Sequence, residues 1–165
     1  MNKKIPLILA VFLLVFFLLC YFISSRRVTR FEIVTKRPLP SDYFHTNVTY
    51  EKGEFFLFKY IPGNKYVSFY ILKFKNNLTT EKFLKERREL ERRERKKLIE
   101  LGKKVFKYNE TMGEKNGWNL IYFSTPKSHN LVEWKGNYCI IILSPTKNLL
   151  EKTSQWIQNN LESIV

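Results

Sequence analysis

Hydrophobic positions change texture three times along the chain. Residues 5–23 form an unbroken apolar run whose one polar side-chain group is the Tyr21 phenol. As a helix rising about 1.5 Å per residue, the run nearly matches the hydrocarbon thickness of a bilayer, so it predicts a transmembrane anchor. Its exit reads Leu19, Cys20, Tyr21, Phe22, Ile23, bulky where a cleavage site needs small residues. The expected anchor is therefore uncleaved, and Cys20 reads as a lipid-facing side chain. A basic stretch follows, and Pro38 and Pro40 end any helix continuing from the anchor.

From Val48 onward the spacing is that of strands. Residues 54–60 and 65–75 are rich in Phe, Tyr, Val and Ile, and Pro62, Gly63 and Asn64 between them signal a turn. In the second run Tyr66, Ser68, Tyr70 and Leu72 share one face, with Val67, Phe69, Ile71 and Lys73 on the other. Apolar residues on both faces predict a sheet covered on both sides. A helix is expected from Thr79 or Thr80 to about Leu101, stopped by Gly102. Four strands are expected next, at 105–109, 118–124, 131–134 and 138–143, with turns at 114–117 and 135–137. Pro145 introduces a last helix over 149–163, whose Leu150, Trp156, Ile157, Leu161 and Ile164 form an apolar stripe.

This order predicts an α+β protein. An N-terminal transmembrane helix precedes an antiparallel sheet packed by a long charged helix and a C-terminal amphipathic helix. The expected boundaries are an anchor over 1–23, a basic juxtamembrane linker over 24–40 and an α+β domain over 41–165.

The segments LPSDYF, VTYEKGEFFLFKYIPG and VSFYILKF, then GWNLIYFST, LVEWKGNYCIIILSP and LLEKTSQWIQNNL, resemble PsbP-like and related carrier-like domains over about residues 38–163. A hairpin built on Trp134, Gly136 and Tyr138 contributes to the likeness. The resemblance implies a membrane-tethered, extracytoplasmic domain that is largely non-enzymatic, and it carries no catalytic or ligand motif onto this chain.

Charge sharpens the picture. The net charge is +14, from 29 basic and 15 acidic residues, and it is concentrated in two places. Residues 24–37 hold five basic residues against one acidic, and residues 81–104 hold eleven against six. Between 85 and 97 only Leu90 is uncharged. One reading is a solvated helix laced by pairs such as Glu89–Arg93 and Glu91–Arg95, resting on the sheet through a seam of Phe83, Leu84, Leu90, Leu98, Ile99 and Leu101. The other is a surface for anionic groups, with Arg87, Arg88, Arg92, Arg93, Lys96 and Lys97 as its candidate contacts. Anionic lipid headgroups or an acidic protein partner would suit it. Nucleic acid is a weaker fit, because no recognition motif accompanies the charge.

Lys3 and Lys4 precede the apolar run, and Arg26, Arg27 and Arg30 follow it, as expected of membrane-flanking residues. Counted literally these charges place the domain inside. A short Lys-Lys head and the sequons at Asn47, Asn77 and Asn109 point outward. The expectation is a single-pass cell-membrane protein facing out, with the inward orientation as its alternative.

Catalytic chemistry has little to work with. Asp42 is the only aspartate, His45 and His129 are the only histidines, and neither histidine has metal-ligand spacing. Cys139 with His129, and Asp42 with His45, are the pairs to inspect. Trp118, Trp134 and Trp156 could line an apolar pocket, though a small aromatic-rich domain needs such rings in its core. With 44% hydrophobic and 16% aromatic residues the chain is not disordered overall. The expected function is that of a membrane-anchored, non-enzymatic binding or accessory domain without a cofactor, with an enzyme of unrecognised class as the alternative.

Overall fold

The fold comes from a computed structural model that describes residues 30–61, 63–104 and 109–164. In chain order the elements are β1 (Arg30–Pro38), β2 (Lys52–Ile61), β3 (Lys65–Lys73), α1 (Asn77–Glu100), β4 (Asn109–Lys115), β5 (Trp118–Thr125), β6 (Ser128–Lys135), β7 (Tyr138–Ser144) and α2 (Lys147–Ile164). The strands form one sheet in the order β1-β2-β3-β7-β6-β5-β4, and every neighbouring pair is antiparallel.

Two meanders, β1–β3 and β4–β7, meet where β3 pairs with β7 from Ser68↔Leu143 to Lys73↔Tyr138. Asn116 and Gly117, both at positive φ, turn β4 into β5 between Lys115 and Trp118. That two-residue, left-handed geometry matches the twist of a hairpin and favours Asn-Gly.

Because side chains alternate along a strand, the central strands supply two cores. Phe56, Phe58, Val67, Phe69, Ile140 and Ile142 are buried on one face beneath Leu149, Leu150 and Ile157 of α2. Phe69 stacks on Phe56 at 4.8 Å and meets Phe58 edge-on at 4.6 Å. On the other face Leu72, Phe74 and Cys139 are buried with Phe83 and Leu84 of α1 and with Phe44, Val48 and Tyr50. Those last three come from a loop, 39–51, that crosses this face. Its Tyr50 ring lies directly against Gly53, where any Cβ would collide with it.

Several expectations are corrected here. No helix among the described residues is long and apolar enough to cross a membrane. Fifteen of the 24 residues of α1 are charged, and α2 interrupts its apolar stripe with Lys, Glu, Gln and Asn. For the described residues, the expected N-terminal transmembrane-helix architecture and single-pass placement in the cell membrane are corrected to a seven-stranded antiparallel sheet with two helices, neither of which can cross a membrane. The run at 5–23, with Lys3, Lys4, Arg26 and Arg27, lies outside the described residues.

Arg30 opens β1, and the second half of the expected linker is a strand. Its Phe31 packs among Phe58, Tyr60 and Trp156, and Lys36 is bonded to the Ile164 carbonyl oxygen (3.1 Å) and paired with Glu54 (3.2 Å). The strand expected at 105–109 falls largely outside the described residues, and β4 runs instead from Asn109 to Lys115. Helix α1 starts earlier than Thr79, because the Asn76 side chain caps it by accepting from the Thr79 amide at 2.9 Å.

Replacing Phe69 with Ala should lower unfolding free energy by about 3–5 kcal/mol, whereas Met112→Ala, on the exposed edge strand β4, should change it by no more than about 0.5 kcal/mol. Urea denaturation of the two variants checks this ordering.

Candidate functional site

Helix α1 is held to the sheet mainly by its first turns. Thr80, Phe83 and Leu84 are its buried residues, and the Asn47 amide donates to Glu86 (2.9 Å), fastening the 39–51 loop to the same end. Beyond Leu84 the expected apolar seam fails. Leu90 is half-buried and Leu98 exposed, while Ile99 and Leu101 stand 62% and 69% exposed.

The residues of α1 turned toward the sheet after Leu84 include Arg87, Arg88, Glu91 and Arg95, all half-buried. Residues three, four, seven and eight apart share a helix face, so a charged face lies over the sheet.

The sheet beneath is apolar. Strand registers set Tyr70, Ile141, Val132, Ile121 and Met112 side by side across β3, β7, β6, β5 and β4. The neighbouring row on the same face is Ser68, Leu143, Asn130, Phe123 and Glu110.

Between this floor and α1 is a cleft of about 550 Å³, closed at one end by Tyr43, Phe44 and His45 of the loop. Its helical wall is Phe83, Leu84, Arg87, Arg88, Glu91 and Glu94. A smaller hollow of about 290 Å³ lies against Lys85, Arg92, Met112 and Trp134, and it shares Leu84, Arg88 and Ile121 with the cleft. A volume near 550 Å³ falls within the range of small-molecule sites.

The polar groups of the cleft differ in how well they are satisfied. Arg88 is ion-paired with Glu110 on β4, which ties the middle of α1 to the sheet edge. The Arg87 guanidinium lies over the Phe44 ring, 5.8 Å from its centroid, and has no ion pair among the described residues. Asn130 Oδ1 is buried and finds no hydrogen-bond partner among the described residues, an arrangement that costs about 1–3 kcal/mol when nothing donates to it. Tyr70 and Tyr43 hydroxyls are 3.2 Å apart. Burial, then that hydrogen bond, push the Tyr70 phenol up to about 12, against the lowering pull of Arg37, so it stays protonated in neutral solution.

The six basic candidates therefore separate. Arg87 and Arg88 face the cleft, and Arg92 lines the smaller hollow. Arg93 pairs with Glu89 at 3.6 Å and Lys96 with Glu100 at 3.9 Å, both on the exposed surface, where Lys97 also lies. The tryptophans separate too. Trp118 is buried in the core under α2, Trp156 packs on Phe31 and Phe58, and Trp134 lines the smaller hollow.

Neither inspected pair assembles. Cys139 is fully buried on the α1 face, and burial pushes its thiol well above the ordinary range. His129 sits on the other face, stacked on Tyr122 with Nδ1 2.5 Å from its hydroxyl. The Asp42 carbonyl accepts from the His45 amide at 2.8 Å, which makes a backbone turn with His45 at φ 52°. Among the described residues no group of three or more His, Cys, Asp or Glu converges.

One charge that sequence reading passed over is Glu133, 1% exposed under α2. Ser154 Oγ donates to its two oxygens at 2.8 and 2.9 Å, and Gln158 Nε2 donates at 3.0 Å. Burial raises its pKa, while those donors and the Lys115 charge oppose the rise.

The apolar pocket expected on the tryptophans is not this cleft: none of the three lines it, and of them only Trp134 borders the smaller hollow. The signal for the cleft is a mismatch between the apolar face of β5–β7 and a helix that, between Leu84 and Lys97, offers it only Leu90 among charged residues. Compared with models of protein families, with curated proteins and with solved structures, the chain matches none of them.

Glu133 makes stability depend on pH in a defined direction. A carboxyl whose folded pKa is raised contributes fully below its ordinary value near 4.5, and that contribution is lost as pH rises through the raised value. The stability of the wild type relative to Glu133→Gln should therefore fall between pH 4.5 and neutrality. Urea denaturation across that range reads the effect, and a constant difference would show that burial does not raise this carboxyl.

Proposed function

We propose that this chain is a non-enzymatic binding domain that contacts anionic phospholipid headgroups through the free half of α1. The observation carrying this reading is the juxtaposition, on the last turns of α1, of exposed Arg92, Arg93, Lys96 and Lys97 with exposed Ile99 and Leu101. Each basic side chain near an anionic surface is attracted by about 1 kcal/mol, and aliphatic side chains beside them gain by entering the interfacial region. Glu89 and Glu100 pair with two of the four cations, which reduces the attraction without reversing it.

An acidic protein surface is the second reading, favoured by the same charges. It ranks lower because Lys and Glu are depleted from protein interfaces and the face here is dense in both. Nucleic acid ranks below both, for α1 carries no aromatic residue beyond Phe83, which is buried. The binding role, rather than catalysis, is supported by the separation of Cys139 and His129 onto opposite faces. The reading calls for no cofactor.

The full-length chain should prefer phosphatidylglycerol vesicles to phosphatidylcholine vesicles, and salt should weaken the preference. Reversing Arg92, Arg93, Lys96 and Lys97 to Glu together should cut the preference by about tenfold or more, with the thermal unfolding midpoint little changed. Comparing the two vesicle types separates this charge effect from any uptake by the apolar run at 5–23. Equal binding to both vesicles, or a preference that survives the reversal, would sink the reading. Retention on polyglutamate but not on phosphatidylglycerol would assign the face to an acidic protein.

A further inference from the structure

We propose that the cleft between α1 and the sheet is a binding site for a single-chain amphiphile with an anionic head. Three observations carry it, none of which involves the outer face of α1. The central row of the floor, Tyr70, Ile141, Val132 and Ile121, is largely apolar, and the cleft over it is about 550 Å³. In an ordinary two-layer packing the helix above such a floor would fill that space with its own apolar side chains. Here α1 turns Arg87 and Glu91 toward the floor instead.

The second observation is Arg87. It is half-buried at the cleft wall, is positioned by the Phe44 ring, and has no carboxylate partner among the described residues. A cation in that setting lacks the anion that would compensate its partial desolvation, and an anionic head supplies one through charge-assisted hydrogen bonds. Glu91 and Glu94 lie one and two turns further along the same wall. They place the head at the loop end, between Arg87 and His45, and direct an acyl chain along Ile141, Val132, Ile121 and Phe123.

The third observation is Asn130, whose buried Oδ1 has nothing to accept from among the described residues. Asn130 also lines the cleft, so a rotation of its side chain presents that oxygen to an occupant with a hydroxyl near its chain, and this favours a lysophospholipid over a plain fatty acid. The chemistry shared by both is an acyl chain with an anionic head.

The test uses the full-length chain with three soluble probes below their micellar concentrations: dodecanoate, lauroyl lysophosphatidate and uncharged dodecyl maltoside. Isothermal titration should show saturable binding of the two anions with one site per chain. Val132→Trp, which fills the cleft, should abolish that site. Arg87→Gln should weaken both anions by about tenfold and leave dodecyl maltoside unchanged. Tighter lysophosphatidate binding assigns the head to a phosphate ester, and tighter dodecanoate binding assigns it to a carboxylate. If Val132→Trp does not fold, Arg87→Gln decides.

The proposal is overturned if no saturable site is found, if folded Val132→Trp binds as the wild type does, or if Arg87→Gln leaves both anions unaffected or weakens all three probes equally. Loss of vesicle preference in the outer-face variant leaves this test untouched, because the two sets of substitutions share no residue.

Discussion

The antiparallel pairing of β3 with β7 holds this molecule together. The two strands are separated in the chain by α1 and by the whole of the second meander, so their ladder is the long-range contact that turns two small sheets into one. Without it each meander would leave a long edge unpaired. Neither would bury both faces of its central strands. Val67, Phe69 and Ile71 on β3, with Ile140 and Ile142 on β7, pack toward α2, while Leu72 and Cys139 pack toward α1. Both helices depend on that double-sided centre for a place to dock.

The two faces then diverge. Helix α2 meets its face as an amphipathic helix, with Leu149, Leu150 and Ile157 inserted among phenylalanines. Even the buried Glu133, from β6 below, is met by two side-chain donors. Helix α1 does so only over its first turns, where the 39–51 loop supplies Phe44, Val48 and Tyr50. After Leu84 its inward face carries only Leu90 among charged side chains, Leu98 being exposed, and the Arg88–Glu110 pair keeps it beside the sheet edge. The result is a helix that stands over an apolar surface without filling the space beneath. One side of it borders a cleft and the other presents an exposed basic surface with aliphatic residues at its end.

These two sides make different demands on a ligand. The outer side offers long, hydrated charges with little shape, which suits a diffuse anionic surface. The inner side offers a bounded volume and, among the described residues, the unpaired Arg87 guanidinium and the unpartnered Asn130 amide oxygen, which suit a single molecule. Charge count alone joins the two into one basic stretch. Burial separates them, since Arg87 and Arg88 are half-buried while Arg93, Lys96 and Lys97 are exposed.

Much of the local structure was legible beforehand, for reasons confined to a few neighbouring residues. The hairpin between β2 and β3, the charged helix after Asn76, the strands at 118, 131 and 138 and the final amphipathic helix all follow from spacing and turn residues. The edge strands were not. β1 reads as a basic linker until Phe31 finds Phe58 and Trp156, and β4, NETMGEK, has no apolar alternation and exists because β5 offers it hydrogen bonds.

By itself, then, the sequence determined where the chain could be helix or strand and where its charge would lie, since those depend on side-chain periodicity and backbone preference. Only the tertiary structure decided that two meanders share one sheet and that α1 lies over apolar strands. It also decided that Arg87 and Asn130 face a common cleft, because such pairings are set by which distant surfaces bury each other.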